Sequence, residues 1–303
     1  MVNCAIDLIG NTPMISLKKL TGMPIYAKAE FLNPGGSIKD RIAKYMIEKA
    51  EERGVLKEGM TIMEPTSGNT GIGIAFVGVQ KGYKVVIVMP ENMSDERKKL
   101  IRSLGAELIL TPAKESIGGS VEEVKKRAGE DKSIFIPQQF ENQDNPETHY
   151  RSTGPEIWQQ LEGRVDVFVS GLGSGGTLTG IGRFLKEKNP ECKIVAVEPK
   201  NVSALLGHRP GIHKIQGIGD GFIPQVMDTG IIDEIIEVED EDAINVSREL
   251  AATQGILAGI SSGANIWAAS RIGEKIGKDK VISTILVDRA ERYFSAGLFS
   301  VKD

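Results

Sequence analysis

Short β-branched apolar runs alternate along this chain with longer segments of helical period. "TIMEP" (61–65), "KVVIVMP" (84–90) and "AELILTP" (106–112) have the length and composition of buried strands. Between them, "GIGIAFVGVQKG" (71–82) and "SDERKKLIRSLG" (94–105) read as helices, the second opened by a capping Ser94 and closed at Gly105. A helix near 119–129 leads to "SIFIPQQF" (133–140). After the polar stretch "ENQDNPE" (141–147) the pattern restarts. A helix over 146–161 carries an internal Gly-Pro break, and strand 165–171, helix 177–188 and strand 193–199 follow. A long Gly- and Pro-containing loop covers 200–230. Helices over 240–255 and 263–277 and a strand over 281–288 complete the pattern. Such alternation predicts an α/β fold of two units with mostly parallel sheets covered by helices, and a boundary within 141–147.

Composition narrows the chemistry. Thirty-seven Lys and Arg against 41 Asp and Glu leave a net charge of −4, which argues against a nucleic-acid surface. Cys4 and Cys192 are too few and too far apart for a disulfide framework, so a reducing, cytoplasmic setting is expected. His149, His208 and His213 match no dense ligand motif, and no metal is expected. No apolar run approaches the roughly 20 residues that span a bilayer, and no secretory signal is recognisable.

Four stretches carry candidate chemistry. "SGLGSGGTLTG" (170–180) runs from a buried-type strand through a glycine-rich turn into a helix, a geometry that points backbone N–H groups at an anion such as phosphate. Gly171, Gly173 and Gly176 also satisfy the G-x-G-x-x-G fingerprint of dinucleotide folds, with Glu198 ending the next strand. An NAD-dependent oxidoreductase is therefore a rival reading. "EPTSGNTGIGIA" (64–75) is a second strand–loop–helix junction. Its Thr66, Ser67, Asn69 and Thr70 offer neutral donors to a small carboxylate, although a capped helix start would look the same. "GISSGANIW" (259–267) places Ser261 and Ser262 before a helix, where an ordinary N-cap is the simplest reading. In "NPGGSIKDRIA" (33–43), Ser37 and Asp40 read as a capping box, and Lys39 falls in the first helical turn. An ammonium is disfavoured there, so the position suits a lysine that must act as a neutral amine.

A lysine amine, a phosphate cradle and a carboxylate cradle are together what pyridoxal phosphate and an amino-acid substrate require. The chain resembles the cysteine synthase (O-acetylserine sulfhydrylase) family of fold type II pyridoxal-phosphate enzymes. The resemblance runs from "IDLIGNTPMISL" (6–17) through the motifs above and "PQQFENQDNPETHY" (137–150), "STGPEIW" (152–158), "HKIQGIGDGFIP" (213–224) and "GILAGISSGAN" (255–265) to "ERYFSAGLF" (291–299). It implies two three-layer α/β domains of the tryptophan synthase β-like kind. The smaller would cover 36–145, and the larger, phosphate-binding one would cover 1–35 and 146–303. It further implies that Lys39 binds the cofactor aldehyde and moves the α-proton, and that Asn69 bonds the ring oxygen. Gly173, Ser174, Gly175, Gly176 and Thr177 would hold the phosphate, and Ser262 would face the pyridine nitrogen. Thr66, Ser67, Thr70 and Gln139 would bind the substrate carboxylate. The implied reaction joins O-acetylserine and sulfide into cysteine and acetate by way of an α-aminoacrylate. A homodimer and docking of the serine acetyltransferase C-terminal tail are also implied.

Two departures from the family pattern stand out. "LVDRAERYF" (286–294) lacks the usual Pro and Gly-Glu-Arg, so Val287 and Ala290 could alter packing near the pyridine ring. Asp220 in "QGIGDGF" stands where the family usually has a small residue, on the loop facing the reacting carbon. An outward-pointing aspartate is one outcome. The other is a carboxylate that handles the Cβ substituent, in an enzyme that converts cysteine and water to serine and hydrogen sulfide. Condensation of lanthionine or cystathionine type is a further alternative, and a catalytically silent binding protein lies outside the enzyme class.

Overall fold

The computed structural model describes residues 2–295; 296–299 of the motif at 291–299 fall outside them. In chain order its elements are β1 (Met14–Ser16), α1 (Lys18–Thr21), β2 (Ile25–Ala29), α2 (Lys39–Glu52), β3 (Thr61–Pro65), α3 (Asn69–Gln80) and β4 (Lys84–Pro90). Next come α4 (Asp95–Ser103), β5 (Glu107–Thr111), α5 (Ser116–Glu130), β6 (Ile134–Phe135), α6 (Asp144–Thr148) and α7 (Gly154–Gln160). The remainder are β7 (Val167–Gly171), α8 (Gly176–Lys188), β8 (Lys193–Pro199), β9 (Glu234–Val238), α9 (Asp240–Gln254), α10 (Ile260–Ile276) and β10 (Ile282–Leu286). Among the described residues no helix is long and apolar enough to cross a membrane.

The chain forms two compact units. The smaller comprises the segment up to Ile9 and Asn33–Asp144; the larger comprises Gly10–Leu32 and the chain from Asn145 on. The first residues thus group with the smaller unit, whereas 1–35 was expected in the larger one. Ile6, buried in the smaller unit's core, accounts for this.

The smaller unit holds a four-stranded sheet in the order β5-β4-β3-β6, parallel throughout. Alternate side chains of a strand face opposite sides, so each strand feeds two cores. Ile62, Val85 and Ile87 pack with Ala43, Ile47, Ile72 and Ala75 of α2 and α3. Met63, Val86 and Val88 pack with Val124 of α5. The larger unit holds a six-stranded sheet in the order β1-β2-β10-β7-β8-β9, parallel except for the β1–β2 pair. Val167, Val169, Val195 and Val197 share a core with Ile260, Ala264 and Leu250 of α9 and α10. Phe168, Ile194 and Ala196, at alternate positions, serve the opposite face.

Four local expectations need correction. The helix over 146–161 has no break at Gly-Pro; a π-turn at His149–Thr153 joins α6 to α7, with Pro155 tolerated just inside the start of α7. "SIFIPQQF" yields only the two-residue β6 before turning away. The first two strands and β9, an edge strand that carries Glu234 and Glu237, were not anticipated. Ser94 occupies the N-cap of α4, but its hydroxyl makes no cap bond.

Lys28 is fully buried in β2 and lies 2.7 Å from Glu156 of α7. Its ammonium also donates to Gln160 Oε1 at 2.8 Å and to the Thr12 carbonyl. Removing one member of such a pair leaves an uncompensated charge. Lys28→Met is expected to lower stability by about 3 kcal/mol, with partial recovery in Lys28→Met/Glu156→Gln. Denaturant midpoints measure both, and an unchanged midpoint for the single variant contradicts the assignment.

Candidate active site

In the smaller unit, Lys39 is the first residue of α2 and is half-buried. The capping differs from the box expected there. Ser37 Oγ accepts from the Lys39 N–H at 3.2 Å, while Asp40 reaches back past Ser37 to accept from the Gly35 N–H at 2.6 Å. The carboxylate needs that room because the chain turns sharply through Gly35 and Gly36. Helix α3 lies directly alongside, since a Cβ on Gly73 would come within 2.9 Å of the Lys39 carbonyl oxygen. Lys39 therefore stands beside the start of α3, where Asn69 and Thr70 are the first two residues.

The loop that enters α3 is tied by its own hydroxyls. Thr66 Oγ1 accepts from the Gly68 N–H at 3.1 Å, which leaves the Thr66 proton to be donated elsewhere. Thr70 Oγ1 donates to Gln139 Oε1 at 2.6 Å, both side chains being buried. That bond turns the Gln139 NH2 into the pair's outward donor. Ser67 is half-buried on the same loop. Thr66, Ser67, Asn69, Thr70 and Gln139 are thus gathered in one unit, as neutral donors around a helix N-terminus that favours an anion.

Behind them sits Glu64, a residue to which the sequence reading gave no role. It is buried near the end of β3, and its two carboxylate oxygens accept from the backbone N–H groups of Gln138 (3.0 Å) and Gln139 (3.1 Å). Burial pushes the Glu64 carboxyl up to about 7, against the restraining effect of those two donors. A charged residue inside the apolar run "TIMEP" was the signal available in the sequence.

In the larger unit, β7 ends at Gly171 and α8 begins at Gly176, with Gly175 in the left-handed region at φ 82°. The glycines of this turn are required by close approach. A Cβ on Gly173 would overlap the Gly217 carbonyl oxygen, and one on Gly176 would overlap the Asn145 side chain. Asn145 Nδ2 donates to Ser174 Oγ at 3.0 Å. His149, buried in the π-turn, has Nδ1 2.9 Å from Thr153 Oγ1 and Nε2 3.4 Å from Thr177 Oγ1. Ser174 and Thr177, the two hydroxyl-bearing residues of the cradle, are therefore each backed by a buried polar side chain. Asn145 and His149 went unassigned from sequence, where a buried support looks like any polar residue on a helix. Gly171 is fixed in turn by Asn265, which accepts from its N–H at 2.8 Å and donates to the Ile285 carbonyl.

Ser262 lies buried in the first turn of α10, and its Oγ accepts from the Val287 N–H at 2.9 Å. With that acceptor role filled, the hydroxyl proton is oriented for donation. Val287 thus acts through its backbone, and Ala290 packs into the core. Asp220 is exposed. It follows Gly219, whose N–H donates to the Leu172 carbonyl of the glycine turn at 3.1 Å and whose carbonyl lies 3.0 Å from His213 Nε2.

The dinucleotide reading fails on its acid. Glu198 is buried, and its carboxylate accepts from Ser203 Oγ and from the N–H groups of Ala204 (3.0 Å) and Leu205 (3.1 Å), so it closes a turn and cannot hold a ribose.

Because the Glu64 carboxyl is raised from 4.5 to about 7, the folded state favours its neutral form. Its contribution to stability is complete below pH 4.5 and is lost as the pH rises to about 7, by about 3 kcal/mol in total. Denaturant midpoints across that window are expected to fall less steeply in Glu64→Gln than in the unmodified chain; identical slopes contradict this.

Comparison with known proteins agrees with this chemistry. A family described as pyridoxal-phosphate dependent enzyme matches residues 5–288. A cysteine synthase from Staphylococcus aureus is 50% identical over 301 residues, covering 98% of this chain and 97% of that protein. The crystal structure of a cysteine synthase from Entamoeba histolytica superposes with a TM-score of 0.96 at 41% identity, covering 100% of this chain and 92% of the other. That of a hydrogen sulfide-producing enzyme from Fusobacterium nucleatum gives a TM-score of 0.93 at 42% identity, covering 97% and 100%. The chain belongs to the pyridoxal-phosphate-dependent enzyme family, and its cofactor is pyridoxal phosphate.

Proposed function

We propose that this protein is a cysteine synthase, which replaces the acetyl group's oxygen on O-acetylserine with sulfur from sulfide and releases cysteine and acetate. The observation that carries this reading is the likeness to cysteine synthases along nearly the whole chain. The residues present fit the cofactor. The turn at 173–177 packs against the Gly217 carbonyl and the Asn145 side chain as only glycine at 173 and 176 allows, and it opens a helix of 13 residues whose N-terminus attracts phosphate. When bound, pyridoxal phosphate supplies an aldehyde that couples to amines and a ring that withdraws electron density from the substrate Cα.

The chain's own groups do the rest. Gly173, Ser174, Gly175, Gly176 and Thr177 hold the phosphate, with Asn145 and His149 keeping the two hydroxyls in place. Lys39 provides the amine that anchors the cofactor and then takes the proton from the substrate Cα. Asn69 donates its amide to the ring oxygen. Thr66, Ser67, Thr70 and Gln139 bind the α-carboxylate through neutral donors. Ser262 would offer its hydroxyl to the pyridine nitrogen. A neutral hydroxyl in that place, where an aspartate would keep the nitrogen protonated, would weaken the ring's pull on electrons and so favour loss of the Cβ substituent. The family resemblance extends the reading to a cytoplasmic homodimer that receives the serine acetyltransferase C-terminal tail.

Purified holoprotein is expected to form cysteine from O-acetylserine and sulfide, and Lys39→Ala to lower kcat/KM on the order of 10³-fold or more. Acetate release without cysteine, or full activity in the variant, would refute the assignment.

A second reading rests on Asp220. Its carboxylate is exposed on a loop bonded to the glycine turn through Gly219 and Leu172, and the similar Fusobacterium nucleatum protein is a hydrogen sulfide producer. On this reading the chain also converts cysteine and water to serine and hydrogen sulfide, with Asp220 activating the water. Asp220→Asn is expected to lower sulfide release from cysteine about 100-fold while sparing cysteine formation. Sulfide release that survives the change sinks the second reading alone.

A further inference from the structure

Strand β3 ends in Glu64-Pro65, and the loop Thr66–Thr70 follows at once. Across from it the chain leaves β6 and turns through Pro137–Asn142. That turn is unusual. Gln138 adopts φ 58°, the left-handed region that a non-glycine residue enters only at a cost. Its carbonyl accepts from the N–H groups of Glu141 (3.0 Å) and Asn142 (2.9 Å), and Asn142 Nδ2 donates to the Pro137 carbonyl at 2.9 Å. These bonds close the far side of the turn. On the near side the Glu64 carboxylate fastens the turn to the sheet, with one oxygen on each of two successive N–H groups.

We propose that Glu64 is a positioning residue for substrate: its buried carboxylate clasps the Gln138 and Gln139 N–H groups, holds the left-handed turn in place, and so sets the Gln139 amide to receive the substrate α-carboxylate. This rests on the reading of Gln139 and the Thr66–Thr70 loop as the carboxylate site. Glu64 never touches substrate. It works through Gln139, whose Oε1 is already taken by Thr70 and whose NH2 direction follows from where the backbone of residue 139 is pinned. One acid thereby sets the spacing between the two walls of the carboxylate site, because it belongs to the strand that delivers one wall and grips the backbone of the other. An amide cannot replace it. An amide at position 64 accepts from one N–H only and turns its own NH2 against the second.

The test uses holoprotein and two ligands that share an amine and a hydroxymethyl group, L-serine and L-serinamide. Only the first carries an α-carboxylate. Binding is read from the change each ligand causes in the visible absorption of the bound cofactor. Glu64→Gln is expected to weaken L-serine at least about tenfold and L-serinamide by less than about twofold. Glu64→Asp, whose carboxylate is one methylene too short to span both N–H groups, is expected to show the same selective loss to a smaller degree, and it reports on the clasp if Glu64→Gln does not fold. Equal weakening of both ligands, or of neither, overturns the positioning role. Should the unmodified protein respond to neither ligand, the carboxylate site itself is misassigned and the proposal falls with it.

Discussion

The constraint from which the rest follows is close approach at the start of helix α8. Gly173 and Gly176 leave no side chain, so the Gly217 carbonyl and the Asn145 side chain can press against the turn. The turn leads into the N-terminus of α8, a fixed partial positive charge that needs no cation. Neither Lys nor Arg appears in "SGLGSGGTLTG". On the proposed reading, a multiply charged phosphate would be held by dipoles and by two hydroxyls, Ser174 and Thr177, which Asn145 and His149 contact from behind.

The smaller unit solves a related problem by similar means. Its proposed anion site is again a loop between a parallel strand and a helix, again without Lys or Arg among the loop's own residues, and again supported by a buried polar side chain. There the support is an acid. Glu64 is fully desolvated, which by itself disfavours its charged form, and two backbone N–H groups oppose that effect. A carboxyl balanced near neutrality is an expensive way to fasten a turn. Its retention makes sense where the turn carries Gln139 and the placement of one amide matters more than stability.

Much of this was legible in the sequence, and the limits have physical causes. Strands β3, β4, β7 and β8 declared themselves because a strand buried on both faces is apolar throughout, and the glycine turns after β3 and β7 mark strand-to-helix junctions. Strand β9 escaped because Glu234 and Glu237 interrupt its apolar residues, as happens in a loop. The π-turn at His149–Thr153 escaped because Gly154-Pro155 reads locally as a helix end, while the extra residue per turn that absorbs it leaves no compositional trace. The side chains that would touch ligand stand in motifs, whereas those behind them do not. Asn145, His149 and Glu64 are polar residues whose burial only the fold reveals. The Ser37–Asp40 spacing was read correctly as a helix start, but the partner of Asp40 proved to be Gly35, because the turn through Gly35 and Gly36 brings that N–H back over the helix.

The central claim is that the amine of Lys39 carries the pyridoxal-phosphate cofactor. It is tested most directly by treating the holoprotein with borohydride, digesting it and locating the reduced adduct by mass. The account predicts a phosphopyridoxyl group on the peptide containing Lys39. An unmodified Lys39, or an adduct on another lysine, would contradict it.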